Sequence, residues 1–220
     1  MKGAGRAHPA LPANRPRPTG SERQRDPASG AVRHASILDR LDGFVSLADI
    51  RRAYPDGLDP RDAAWIWRRL LVALGFAHRA GVIHGAVLPP HVMIHPAEHG
   101  LVLIDWCYSV RARSDRIPAI VARYRDWYPP EVLARQALGP ATDIYLAARC
   151  LTDLMGGPAG PGSTKSPVPR RLAAFADGCA LPQPSRRPQD AWRLLGELDD
   201  LLERLYGRHR FRPFAMPAPG

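Results

Sequence analysis

Residues Val82 to Trp106 read VIHGAVLPPHVMIHPAEHGLVLIDW. The pattern predicts a short apolar strand, a Pro-containing loop, a second short strand, a turn, and a third strand ending at Ile104-Asp105-Trp106. His91, His95 and His99 recur every four residues, with His84 and Cys107 nearby. On a helix this spacing would make a metal-binding stripe. Pro96 and Gly100 break such a helix, so the segment is read as a hairpin and its histidines as surface or internally satisfied side chains. Cys107 has no activating base in view and reads as inert.

Outward from this stretch the chain is mostly helical. Upstream, Ser46 with Asp49 three residues on is a capping pattern opening a short helix. Asp59-Pro60 opens a longer one: Asp59 caps, Pro60 suits the first helical position, and Asp62 complements the dipole. Ala63, Trp67, Leu70, Leu71, Leu74 and His78 then recur at helical spacing until Gly81. Downstream, Cys107 to Tyr128 reads as irregular and carries Arg111, Arg113, Arg116, Arg123 and Arg125, a solvated loop or an acidic-partner site. Pro130 begins a short helix, 141–155 is a buried central helix, 156–169 is a Gly/Pro/Ser loop, and 169–180 and 188–206 are amphipathic helices. The five tryptophans read as packing residues.

The chain has 220 residues, room for one domain with tails. Three boundaries are predicted: an Arg/Pro-rich tail over 1–32 with too little apolar content to order itself, a folded domain over 33–206, and a basic Pro-rich tail over 207–220. Net charge is +10, but only Lys2 and Lys165 are lysines. Arg-rich usage with abundant Ala, Gly and Pro accounts for the charge without nucleic acid, since charge alone supports only non-specific phosphate attraction. No apolar run of about 18 residues spans a membrane. The N-terminus lacks a signal-like apolar core, and three well-separated cysteines make no disulfide framework, so the expected location is the cytoplasm.

The motifs around the opening stretch resemble the larger, helical lobe of the eukaryotic-type serine/threonine protein kinases. The stretch itself is similar to that family's catalytic loop and metal-binding strand, HRDLKPEN and DFG. Gly43 to Leu47 resembles the end of the interlobe hinge, Pro129-Pro130-Glu131 the APE signature, Asp143 in TDIY the central-helix motif, and Arg187 in SRRP the arginine of the last helices. His84-Gly85 and Ile104-Asp105-Trp106 also look like the HGD and IDW motifs of aminoglycoside phosphotransferase-type kinases. The resemblance covers about 41–205. It implies a mainly α (α+β) fold with small β-hairpins around the catalytic-loop position. The small N-terminal lobe is expected to be missing or vestigial.

The resemblance also assigns roles. Glu131 would pair with Arg187, and Asp143 would accept backbone N–H bonds from His84 and Gly85, so these three are structural. In the loop, His84 remains as a packing residue. Ala86 stands where the family has its catalytic Asp, Leu88 where it has Lys, and His91 where it has a metal-binding Asn; Asp105 alone is unchanged. Phosphoryl transfer needs those groups and a small-lobe lysine. The expectation is a catalytically inactive, pseudokinase-like module requiring no cofactor. Its partner would be another protein or a second copy, covering the face that packs on a small lobe. The alternative is residual binding of ATP with Mg or Mn through Asp105, with His91 as a poor oxygen substitute. A truncated reading frame is a third possibility, to be checked upstream of Met1.

Overall fold

The computed structural model describes residues 18–25, 27, 30, 32–112, 116–156 and 167–216. These residues form six α-helices and three small antiparallel sheets, as a mainly α (α+β) reading requires. Strand β1 (Pro18–Arg25) pairs antiparallel with β2 (Val32–Leu38) as a sheet of its own. Strand β1 lies within the tail predicted over 1–32; there a polar segment completes a backbone ladder regardless of its side chains. Residues 1–17 of that tail lie outside the described residues.

Strand β3 (Val45–Ser46) runs into α1 (Leu47–Ala53). The Ser46 hydroxyl accepts from Asp49 N at 3.1 Å while the Asp49 carboxylate accepts from Ser46 N at 3.0 Å, a reciprocal capping box. Helix α2 (Pro60–Arg79) is capped by Asp59, which accepts from Arg61 N at 2.9 Å. Its Trp67, Leu70, Leu71 and Leu74 are buried in the main core. It packs against α4 (Pro140–Met155) and α6 (Ala191–Tyr206). A Cβ added at Gly75 would lie 2.5 Å from the Trp192 indole nitrogen, so this helical glycine admits the tryptophan of α6. A glycine inside a helix costs about 1 kcal/mol relative to alanine.

Strand β4 (Val82–Ile83) pairs with β7 (Val110–Arg111), so the segment read as irregular after Cys107 contains a strand and, at Ala122–Trp127, 3-10 turns. Strands β5 (Val92–His95) and β6 (Gly100–Leu103) extend β3 into a sheet ordered β3-β5-β6. The last strand stops at Leu103 rather than Trp106 because Asp105 adopts a left-handed backbone, φ 64°. Helices α3 (Pro130–Leu133) and α5 (Arg170–Cys179) complete the set. Helix α6 starts at Ala191, not at 188, because the Asp190 side chain accepts from Trp192 N and Arg193 N at 2.7 and 3.2 Å. Most of the predicted 156–169 loop lies outside the described residues. No described helix is long and apolar enough to cross a membrane.

Beyond the boundary predicted at 206, residues 212–215 pack back on the helices. Phe214 is 7% exposed, with its ring 6.0 Å from Tyr54 and 6.1 Å from Trp65. Tyr54 donates its hydroxyl to Ala215 O at 2.6 Å. Arg212 pairs with Asp59 at 3.3 Å and with Asp62 at 3.2 Å. Asp62 thus does more than face the helix dipole: it is buried, and burial raises its carboxyl above the usual range against the pull of Arg212. The Phe214→Ala variant is expected to lose about 3 kcal/mol of unfolding free energy in urea titration, from lost transfer energy and the cavity left behind.

Candidate functional site

The first turn of α4 carries Thr142 and Asp143, both buried. Asp143 Oδ2 accepts from His84 N at 2.8 Å and Oδ1 from Gly85 N at 2.9 Å. His78 Nε2, at the end of α2, donates to Oδ2 at 2.9 Å, since a carboxylate only accepts. The structure therefore brings His84, Gly85 and Asp143 together and adds His78, which the sequence reading treated only as a helix-face residue. Its position on a buried stripe was the available signal, because a buried polar group needs a partner.

Gly85 sits at φ 75°, and a Cβ there would meet Ile117 Cγ2 at 2.7 Å and Tyr108 O at 3.0 Å. The loop is pressed between Asp143 on one side and Tyr108 and Ile117 on the other. His84 Nε2 donates to Ile104 O at 2.9 Å, and its Nδ1 accepts from Ala86 N at 3.3 Å. These partners fix one neutral tautomer. Burial holds the His84 imidazole below the ordinary histidine value, in keeping with that form.

Ala86, Val87 and Leu88 are fully buried. His91 is 6% exposed; its Nδ1 donates to Ala86 O at 2.8 Å and its Nε2 lies 3.1 Å from Asp105 Oδ2. The ring is thus hydrogen-bonded to the Ala86 carbonyl and lies against the Asp105 carboxylate. Asp105 is half exposed, and no described cluster of three or more His, Cys, Asp or Glu residues could hold a metal ion. One carboxylate and one imidazole do not match hard Mg²⁺, which takes oxygen ligands in octahedral geometry. His95 accepts from Glu98 N at 3.2 Å and His99 stacks on Trp65 at 4.0 Å, so the every-fourth histidines are not brought to one point. Cys107 is exposed, with its thiol raised by burial and by Asp105, not activated. Cys150 and Cys179 are buried and free, the latter pushed up to about 12 by burial.

Glu131 and Arg187 form the second buried charge cluster. Arg187 Nη1 and Nη2 donate to Glu131 Oε1 and Oε2 at 2.6 and 3.0 Å. Nη1 also reaches Ala141 O, Nη2 reaches Pro182 O, and Nε donates to Leu181 O. Thr142 Oγ1 donates to Glu131 Oε1 at 3.1 Å, linking this cluster to the turn that holds Asp143. The Arg187 guanidinium also lies 4.6 Å from the Tyr145 ring centroid.

No protein-family model matches the chain. Over 62 residues, 28% of its length, it is 43% identical to casein kinase II subunit alpha' of Saccharomyces cerevisiae. Over 160 residues, 64% of its length, it is 29% identical to serine/threonine-protein kinase F of Synechocystis sp.. These stretches are 18% and 32% of the two relatives, so the chain spans under a third of either. The similarities support a protein-kinase-like relationship.

Arg187→Leu is expected to cost about 3–5 kcal/mol, because Glu131 is left buried without a counter-charge, while replacing both partners by apolar residues costs much less. Chemical denaturation of the single and double variants measures the difference. His84 has a depressed native pKa, so the unfolded chain takes up its proton first as pH falls. Its contribution is complete above about 6.5 and declines below that. The slope of unfolding free energy against pH below 6.5 is expected to be shallower in His84→Gln than in the parent.

Proposed function

We propose that the chain carries a protein-kinase-like large helical lobe that does not transfer phosphate and acts as a binding or regulatory module. One observation carries this reading. At the positions where the resemblance places the acting groups, the side chains are spent on each other and on the core. Ala86 and Leu88 are buried apolar residues, and His91 bridges the Ala86 carbonyl and the Asp105 carboxylate. A hydroxyl substrate would find no base there, and a transferring phosphate no lysine. The contacts that hold such a loop, through Asp143 and through Glu131 with Arg187, are fully made. The proposed partner is another protein or a second copy of the chain, meeting the loop face in the cytoplasm. Half-buried Trp106 and Tyr108 beside exposed Asp105 give that face an aromatic surface.

A second reading keeps a nucleotide with Mg or Mn at Asp105, the one unchanged residue and a half-exposed carboxylate. A thermal-shift series with ATP and either metal, run beside a phosphate-transfer assay on a generic protein substrate, separates the two. The module reading expects no transfer and no rise in melting temperature at millimolar nucleotide. A metal-dependent rise that Asp105→Asn abolishes would instead establish the second reading.

A further inference from the structure

A cavity of about 860 Å³ lies between the first turns of α2, the end of α6, His99 of the β5–β6 turn and residues 207–212. That volume is typical of a small-molecule site. Five arginines line it, against two carboxylates. Three of the five are occupied. Arg61 pairs with Asp59 at 3.0 Å, Arg68 forks onto Asp199, and Arg212 holds Asp59 and Asp62. Arg208 and Arg210 are exposed and have no carboxylate partner among the described residues. The remaining lining carboxylate, Glu203, is exposed, and Arg69 adds positive charge close by.

Two further features mark this cavity. Its wall holds Nε1 of Trp65, 6% exposed and without a hydrogen-bond partner, and the His99 ring, 8% exposed, which has the Arg212 backbone as a partner. Trp65 and His99 stack at 4.0 Å with an interplanar angle of 3°, and Phe211, 63% exposed, continues the stack at 4.4 Å. The stack ties the arginine-bearing segment to the β5–β6 turn. His99 and His209 are both held below the ordinary histidine value, first by burial and next by Arg69 and Arg68 respectively. The field there disfavours a further cation and suits an anion.

We propose that this cavity binds a small phosphorylated ligand, with Arg208 and Arg210 as its phosphate clamp. Guanidinium forks match phosphate oxygens two at a time, which a point charge does not. The site is independent of the kinase-like loop and does not depend on that reading.

The test uses inorganic pyrophosphate without metal, titrated calorimetrically into the full chain at physiological ionic strength. Saturable binding is expected. The Arg208→Gln/Arg210→Gln variant should weaken it about tenfold or more, with an unchanged melting temperature because both side chains are exposed. Asp105→Asn should bind as the parent does. The proposal falls if pyrophosphate does not bind, if the double variant binds as tightly, or if Asp105→Asn loses the binding, which would put the ligand at the loop. Equal affinity for sulfate would reduce the cavity to a generic cationic surface. Tighter binding of a polyglutamate peptide through the same two arginines would make it an acidic-peptide site. Either result also overturns the proposal.

Discussion

A carboxylate removed from water must be met by donors, and Asp143, with no exposed surface, is met from three directions. The end of α2 supplies His78, and the turn after β4 supplies the amides of His84 and Gly85. The residue itself sits in the first turn of α4, where the helix dipole favours negative charge. The end of α2 and the turn after β4 are thus fixed to the distant start of α4 around one charge. The neighbouring residue, Thr142, carries the arrangement on to Glu131, and Glu131 carries it to Arg187 and the carbonyls before α6. Removing a charged member would leave a buried group unpaired.

The loop built on this frame has a different economy. Its backbone is held by Asp143, its histidines by backbone oxygens, and its apolar residues by the core. His91 shows the contrast best. A residue in that place with oxygen to offer would leave Asp105 a partner in holding a cation. An imidazole bonded to Ala86 O instead turns its second nitrogen to the carboxylate, 3.1 Å away. The kinase-like relationship supported by the two partial matches and the closed geometry of the loop are therefore compatible.

Much of the frame was legible in the sequence because its signals are local. Ser46 with Asp49, Asp59 with Pro60, and the apolar spacing of α2, α4 and α6 each report on a few consecutive residues. The structure adds most where a distant partner decides. The strand at 18–25 exists through its pairing with 32–38, which a polar composition does not announce. The segment after 206 is basic and Pro-rich, yet Arg212 and Phe214 find Asp59, Asp62 and Trp65 on α1–α2 and its approach. Helix α6 begins three residues later than its periodicity suggested for a local reason, because the adjacent Asp190 caps it.

The sequence alone determined which residues stand at the loop positions: an alanine, a leucine and a histidine beside one aspartate, with the glutamate, aspartate and arginine that resemble a supporting frame. Residue identity is a one-dimensional fact and needs no fold to be read. Tertiary structure decided how those residues are used. It placed His78 on Asp143, turned His91 between Ala86 and Asp105, and brought Arg208 and Arg210 to a cavity beside Trp65 and His99. Each of these contacts joins groups on different elements. Their meeting depends on how α2, α4 and α6 pack, and that is set by the whole core rather than by any stretch of the chain.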